Sequence, residues 1–195
     1  MLLTDLLAAE RAAVRHNNGT ASLDKPEALH VLAELLSRGT TVPLEKIEGV
    51  LKEREALQST GIGEGVAIPH GALGELDRQV AAVLTVPEGL EFEAIDDAKV
   101  NILVAVISPK RASGEHLKTL ARVSRLLRSK DFRERLLHAG DGQEVFKLLL
   151  SEEEAGLLPP EDESEPDFLS PEPDFASEAP SDLAEPFGLP SLLRA

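Results

Sequence analysis

The chain has 195 residues, with 35 acidic against 20 basic side chains and a net charge of −15. That balance argues against general binding of nucleic acid or of an anionic membrane, because both need clustered Lys and Arg to neutralise phosphate. The absence of cysteine excludes disulfides, thiolate nucleophiles, Cys-ligated zinc and iron–sulfur clusters. No stretch approaches the roughly 18 apolar residues of a membrane span, and the N-terminus has no basic start, so the expectation is a cytoplasmic protein with no membrane insertion.

The charge is uneven. Residues 151–195 hold 13 acidic side chains, one basic (Arg194) and 8 of the 13 prolines; they contribute −12 and leave −3 for the first 150. An acidic, Pro-rich segment cannot bury enough apolar surface to offset the entropy of ordering it. The expected organisation is therefore a folded domain over 1–150 and a disordered tail over 151–195. With no Trp or Tyr, the core must be aliphatic around Phe92, Phe132 and Phe146.

In chain order, Thr4 is placed to cap a short helix, and Ala12 to Leu23 reads as a weak strand beside a turn at His16–Gly19. Asp24 caps a helix with Pro26 in its first turn and Leu29, Leu32, Ala33, Leu35 and Leu36 on its buried face, ending at Arg38-Gly39. A second amphipathic helix from Pro43 to about Gln58 buries Leu44, Ile47, Val50 and Leu51, with Leu57 a further candidate. Two short β-branched runs, Val80 to Val86 and Val100 to Ile107, end at Pro87 and Pro109 and suit a sheet covered on both faces. Three helices follow: one capped by Ser113 and running to about Leu127, one opened by Ser129 or Asp131 and ending at His138, and one capped by Asp141 with Glu144 and ending at Leu150. The pattern predicts one α/β domain with a sheet between two helical layers.

The densest local signal is Gly61-Ile62-Gly63-Glu64-Gly65-Val66-Ala67-Ile68-Pro69-His70-Gly71. Alternating glycines let the backbone bend and approach a ligand, and Pro69 stiffens the strand end from which His70 emerges, before the permissive Gly71. The glycine spacing fits neither the dinucleotide fingerprint nor the phosphate loop. No serine elbow and no zincin histidine pair is present, so hydrolase and metal readings are weak and no metal or cofactor is expected. Taken alone, a single histidine at a strand end is more often a hydrogen-bonded structural residue than a catalyst.

Glu55, six residues, Ile62-Gly63, two residues and then Val66 to Gly71 resembles the phosphorylation-site signature of the type 2 IIA domains of the bacterial phosphoenolpyruvate-dependent sugar phosphotransferase system, the fructose and mannitol class with its nitrogen-regulatory branch. The resemblance covers roughly 23–150 and includes Arg54-Glu55, Phe92 to Pro109 and Glu115 to Leu127. It implies a three-layer α/β/α sandwich around a mixed sheet of about five strands. It also implies that His70 is a phosphoryl acceptor from the phosphohistidine of the carrier HPr, with Arg54 as the phosphate-binding arginine and His116 as the second histidine of the site. Imidazole is unprotonated and nucleophilic near neutral pH, and a guanidinium fork suits phosphoryl oxygens. Gly61, Gly63, Gly65, Pro69, Gly71 and Ser113 complete the candidate site, while His16, His30 and His138 match nothing.

The leading expectation is a phosphoryl-relay protein, a histidine phosphotransferase of the nitrogen-regulatory kind. The wording STGIGxGxAIPHG followed by HLxxLA leans that way. The acceptor would be a regulatory target, or alternatively a IIB component of sugar transport. A rival from another class is a partner-binding module in which phosphorylation is absent or secondary. In the tail, Pro166-Asp167-Phe168-Leu169-Ser170 is echoed by Pro173-Asp174-Phe175-Ala176-Ser177, and such anchors suggest a tail-binding protein partner through Phe168 and Phe175.

Overall fold

Two long apolar strands organise the molecule. β5 (Val80–Leu90) and β6 (Val100–Pro109) pair antiparallel, from Val80 opposite Ile107 to Thr85 opposite Ile102. Their side chains alternate between two cores, as strand geometry requires. Val80, Ala82 and Leu84 with Leu103, Ala105 and Ile107 face one side, and Ala81 and Val83 with Ile102, Val104 and Val106 face the other. The first face is covered by α1 (Lys25–Ser37) and α2 (Leu44–Leu57), the second by α3 (Ser113–Leu126), α4 (Lys130–Leu137) and α5 (Gly142–Glu154). This computed structural model describes residues 2–17 and 23–156.

The sheet is mixed. β1 (Ala12–Val14) runs parallel to β5 at one edge, and β2 (Gly61–Gly63) forms the other edge, antiparallel to β3 (Val66–Ala67). β3 and then β4 (His70–Leu73) pair in succession with β6, both parallel to it. The six strand segments thus occupy five positions across the sheet, and the three-layer α/β/α architecture implied by the sequence is the one observed.

Local rules explain most of the helices. Asp24 accepts from the Glu27 amide, Ser129 from Phe132 and Asp141 from Glu144, so three helices start where a capping side chain stands. Several expectations are corrected. Thr4 caps no helix: it lies within a 3-10 turn, Leu3–Asp5, and its hydroxyl donates to Glu153. Ser113 is not a cap either, because the turn closed by Ala112 N–H on the Pro109 carbonyl puts Ala112 at the N-cap position. Glu144 does not complete a capping box, since its carboxylate accepts from Gly140. α5 continues past Leu150 to Glu154, because Glu153 accepts from the amides of Leu3 and Thr4 at 2.8 and 3.0 Å and Glu152 pairs with Arg135. Leu57 is 83% exposed rather than buried.

The strands also run past their prolines. β5 passes Pro87 through a register shift after Thr85, where the Asn101 amide donates to the carbonyls of Val86 and Pro87. A side chain replaces ladder bonds that the irregular backbone cannot make. The turn expected at His16–Gly19 lies partly outside the described residues, as does the tail from residue 157 onward with Phe168 and Phe175.

Candidate functional site

His70 is the first residue of β4, opposite Val106 in the register with β6. Pro69, which has no amide hydrogen, separates β3 from β4, and its carbonyl still accepts from Val106. The His70 ring is half-buried. Its Nδ1 lies 2.7 Å from the Ile68 carbonyl. A carbonyl can only accept, so Nδ1 carries the proton and Nε2 keeps the lone pair. Arg54 Nε donates to that Nε2 at 3.2 Å, and Arg54 Nη1 donates to the Gln58 carbonyl at 3.0 Å. Nη2 of the same guanidinium has no partner among the described residues.

Gly71 explains how α2 comes this close. A Cβ at Gly71 would stand 3.0 Å from a Val50 methyl, and Val50 and Arg54 are four residues apart on one face of α2. The missing side chain therefore lets the helix lie against β4 and deliver Arg54 to His70. The end of α2 is also anchored. Buried Glu55 accepts from the amide and hydroxyl of Thr60 and pairs with Lys25 Nζ at 2.8 Å.

His116 arrives from the opposite layer, in the first turn of α3, and its ring centroid is 5.3 Å from that of His70. Its Nδ1 is 2.7 Å from the hydroxyl of Ser108, near the end of β6. Burial pushes the His116 imidazole down to about 4, with the neighbouring His70 adding to the effect. Burial likewise lowers His70 and the Arg54 charge lowers it further, against an upward pull from the Ile68 carbonyl. Both shifts favour the neutral imidazole at pH 7.

Arg54, Pro69, His70, Gly71 and His116 are thus brought together. Gly61, Gly63 and Gly65 are used differently: they shape the β2–β3 hairpin, and a Cβ on them would meet Ala94, Asp96 and Asn101 first. Gly63 and Gly65 have φ of +93 and +78°, the left-handed region that glycine tolerates. Ser113 is exposed at the start of α3. His16 pairs with Glu88 and His30 with Glu48, each at 3.0 Å, and His138 contacts its own helix at Glu134. Sequence reasoning assigned no role to Ser108, whose only signal is one hydroxyl ending the apolar run of β6.

The family model for the phosphoenolpyruvate-dependent sugar phosphotransferase system, EIIA 2, matches residues 14–152. The chain belongs to this family. A nitrogen regulatory protein of Bradyrhizobium diazoefficiens is 34% identical over 151 residues, covering 76% of this chain and 95% of that protein. Among solved structures, the nitrogen regulatory protein IIA-Ntr from Neisseria meningitidis superposes with a TM-score of 0.68 at 28% identity, over 75% of this chain and 98% of its own. The mannitol enzyme IIA of Escherichia coli, solved in complex with phosphorylated mannitol enzyme IIB, gives a TM-score of 0.57 at 26% identity, over 74% and 97% of the two chains. The chain is a IIA-type domain of the phosphotransferase system, similar both to nitrogen-regulatory and to sugar-specific members. No helix among the described residues is long and apolar enough to cross a membrane.

Proposed function

We propose that the chain relays a phosphoryl group through Nε2 of His70, taking it from the phosphohistidine of HPr. The observation that carries this reading is the fixed tautomer of His70: the Ile68 carbonyl holds Nδ1–H and so presents the lone pair at Nε2, beside a guanidinium with a free arm. Attack forms the N–P bond at Nε2 as the donor's N–P bond breaks and its electron pair returns to the donor imidazole. Exchange between two imidazoles replaces one bond by a similar one and needs no large driving force. Hydrogen bonds aimed at the phosphoryl oxygens through a loose transition state supply the catalysis. Arg54 provides them by turning its N–H groups from the Nε2 lone pair to the oxygens as that lone pair is consumed, with His116 as the second donor.

A protein donor suits the surroundings. His70 lines neither of two hollows of about 300 and 360 Å³, and two exposed leucines flank the site in sequence: Leu57, three residues after Arg54, and Leu117, beside His116. The nitrogen-regulatory relatives support a regulatory target as the acceptor. The resemblance to the mannitol enzyme IIA supports the second reading, donation to a IIB component. Phosphoenolpyruvate, Enzyme I and HPr should label the protein with acid-labile, base-stable phosphate, and adding sugar-system IIB components separates the two readings by whether the label moves on. Absence of labelling would leave only the partner-binding module. Residues 157–195 are the candidate segment for an additional protein partner through Phe168 and Phe175. Truncation after Gly156, which spares Glu153, should keep labelling and lose that partner in a pull-down.

A further inference from the structure

The two histidines of the site face different groups at the same ring position. His70 Nδ1 meets a carbonyl, Ile68, whereas His116 Nδ1 meets a hydroxyl, Ser108. A carbonyl leaves one choice of tautomer; a hydroxyl, which can donate or accept, leaves two. Burial decides between them. Ser108 has no solvent exposure, and its hydroxyl has no other hydrogen-bond partner among the described residues. If Ser108 accepted from His116 Nδ1–H, its own hydrogen would be buried without an acceptor, which structures avoid. The hydroxyl therefore donates to Nδ1, and the ring proton of the neutral His116 sits on Nε2.

We infer that Ser108 is a positioning residue that sets His116 as the Nε2–H tautomer, a hydrogen-bond donor on a ring whose centroid lies 5.3 Å from that of His70. The pair then consists of one imidazole with its lone pair at Nε2 and one with a proton there, and the choice is made by the β-sheet rather than by the rings. Sheet register places the two partners together: Ala72 of β4 is opposite Ser108 as His70 is opposite Val106. Ser108 shares the face of β6 formed by Ile102, Val104 and Val106, the face on which α3 packs. The opposite tautomer would leave His116 with a lone pair, not a donor, on the ring nitrogen that Ser108 does not occupy, and so with nothing to offer an anionic group carried by His70.

This assignment rests on the phosphoryl-relay reading for its purpose but not for its test. Long-range proton–nitrogen NMR of the unphosphorylated, ¹⁵N-labelled protein at pH 7 should show His116 with an unprotonated Nδ1 and a protonated Nε2, and His70 with the reverse. Ser108→Ala should shift His116 toward a mixture of tautomers and slow labelling from phosphorylated HPr about fivefold, the factor set by one hydrogen bond of about 1 kcal/mol. Ser108→Thr, which keeps the hydroxyl, should restore both. A wild-type His116 protonated at Nδ1 overturns the inference even if both variants fail to fold. So does a folded Ser108→Ala protein with an unchanged tautomer. Wild-type protein that HPr cannot label would overturn the relay reading instead, with the tautomers still measured.

Discussion

The two halves of the segment from Gly61 to Gly71 are adjacent in sequence but do different work. The glycine half bends the β2–β3 hairpin against residues 94–101, with Gly63 and Gly65 in left-handed backbone. The histidine half, beyond Pro69, meets Arg54 and His116. The first half is a backbone device and, on the proposed relay, the second is a chemical one, so substitutions in them should fail in different ways: the first in stability, the second in transfer with the fold intact.

The largest effect should come from His70→Ala, which removes the proposed acceptor atom. Labelling should vanish while the thermal transition stays within a few degrees of wild type. Residual labelling of this variant would move the acceptor elsewhere. Arg54→Lys keeps the charge but loses the planar fork, and by analogy with the loss of one preorganised donor it should slow transfer on the order of 10²-fold. Rapid-quench kinetics that show the wild-type rate would reduce Arg54 to a structural contact of α2.

Gly63→Ala tests the other half. Its φ of +93° should cost a side chain about 1–2 kcal/mol and lower Tm by several degrees, while labelling per folded molecule stays at the wild-type level. If labelling is lost at unchanged Tm, the glycines belong to the phosphate site and the division between the halves is wrong.

The smallest effect is a pH dependence. An unfolded histidine titrates near 6.5, whereas His116 is pushed down to about 4 by burial and by His70. Between those values the unfolded chain binds a proton that the folded chain does not, so stability falls as pH drops through that window. His70, lowered in the same direction, adds to the slope; His30, raised by Glu48, opposes it. His116→Gln should flatten the dependence of the urea midpoint on pH between 6.5 and 4. Equal slopes for variant and wild type would place the His116 ring in solvent.

Much of this molecule was legible in its sequence because the signals are short-range. The caps at Asp24, Ser129 and Asp141, the apolar face of α1 and the two β-branched runs each depend on residues a few positions apart, and each is where local chemistry puts it. The resemblance named Arg54, His70 and His116 as candidates, and the structure brings these three together. Where a local signal competed with a distant partner, it failed. Thr4 gave its hydroxyl to Glu153, 149 residues away, and α5 ran on past Leu150 because the same carboxylate was needed there.

Tertiary structure alone decided the geometry of the candidate site. His70 stands at the end of a sheet between two helical layers, receiving Arg54 from one and His116 from the other. The closeness of α2 depends on the absent side chain of Gly71, and the tautomers depend on a carbonyl and a buried hydroxyl held in register by β4 and β6. Composition and spacing specify which residues are available. Protonation is set by burial and by the atom each ring nitrogen faces, and both exist only once strands distant in sequence have paired.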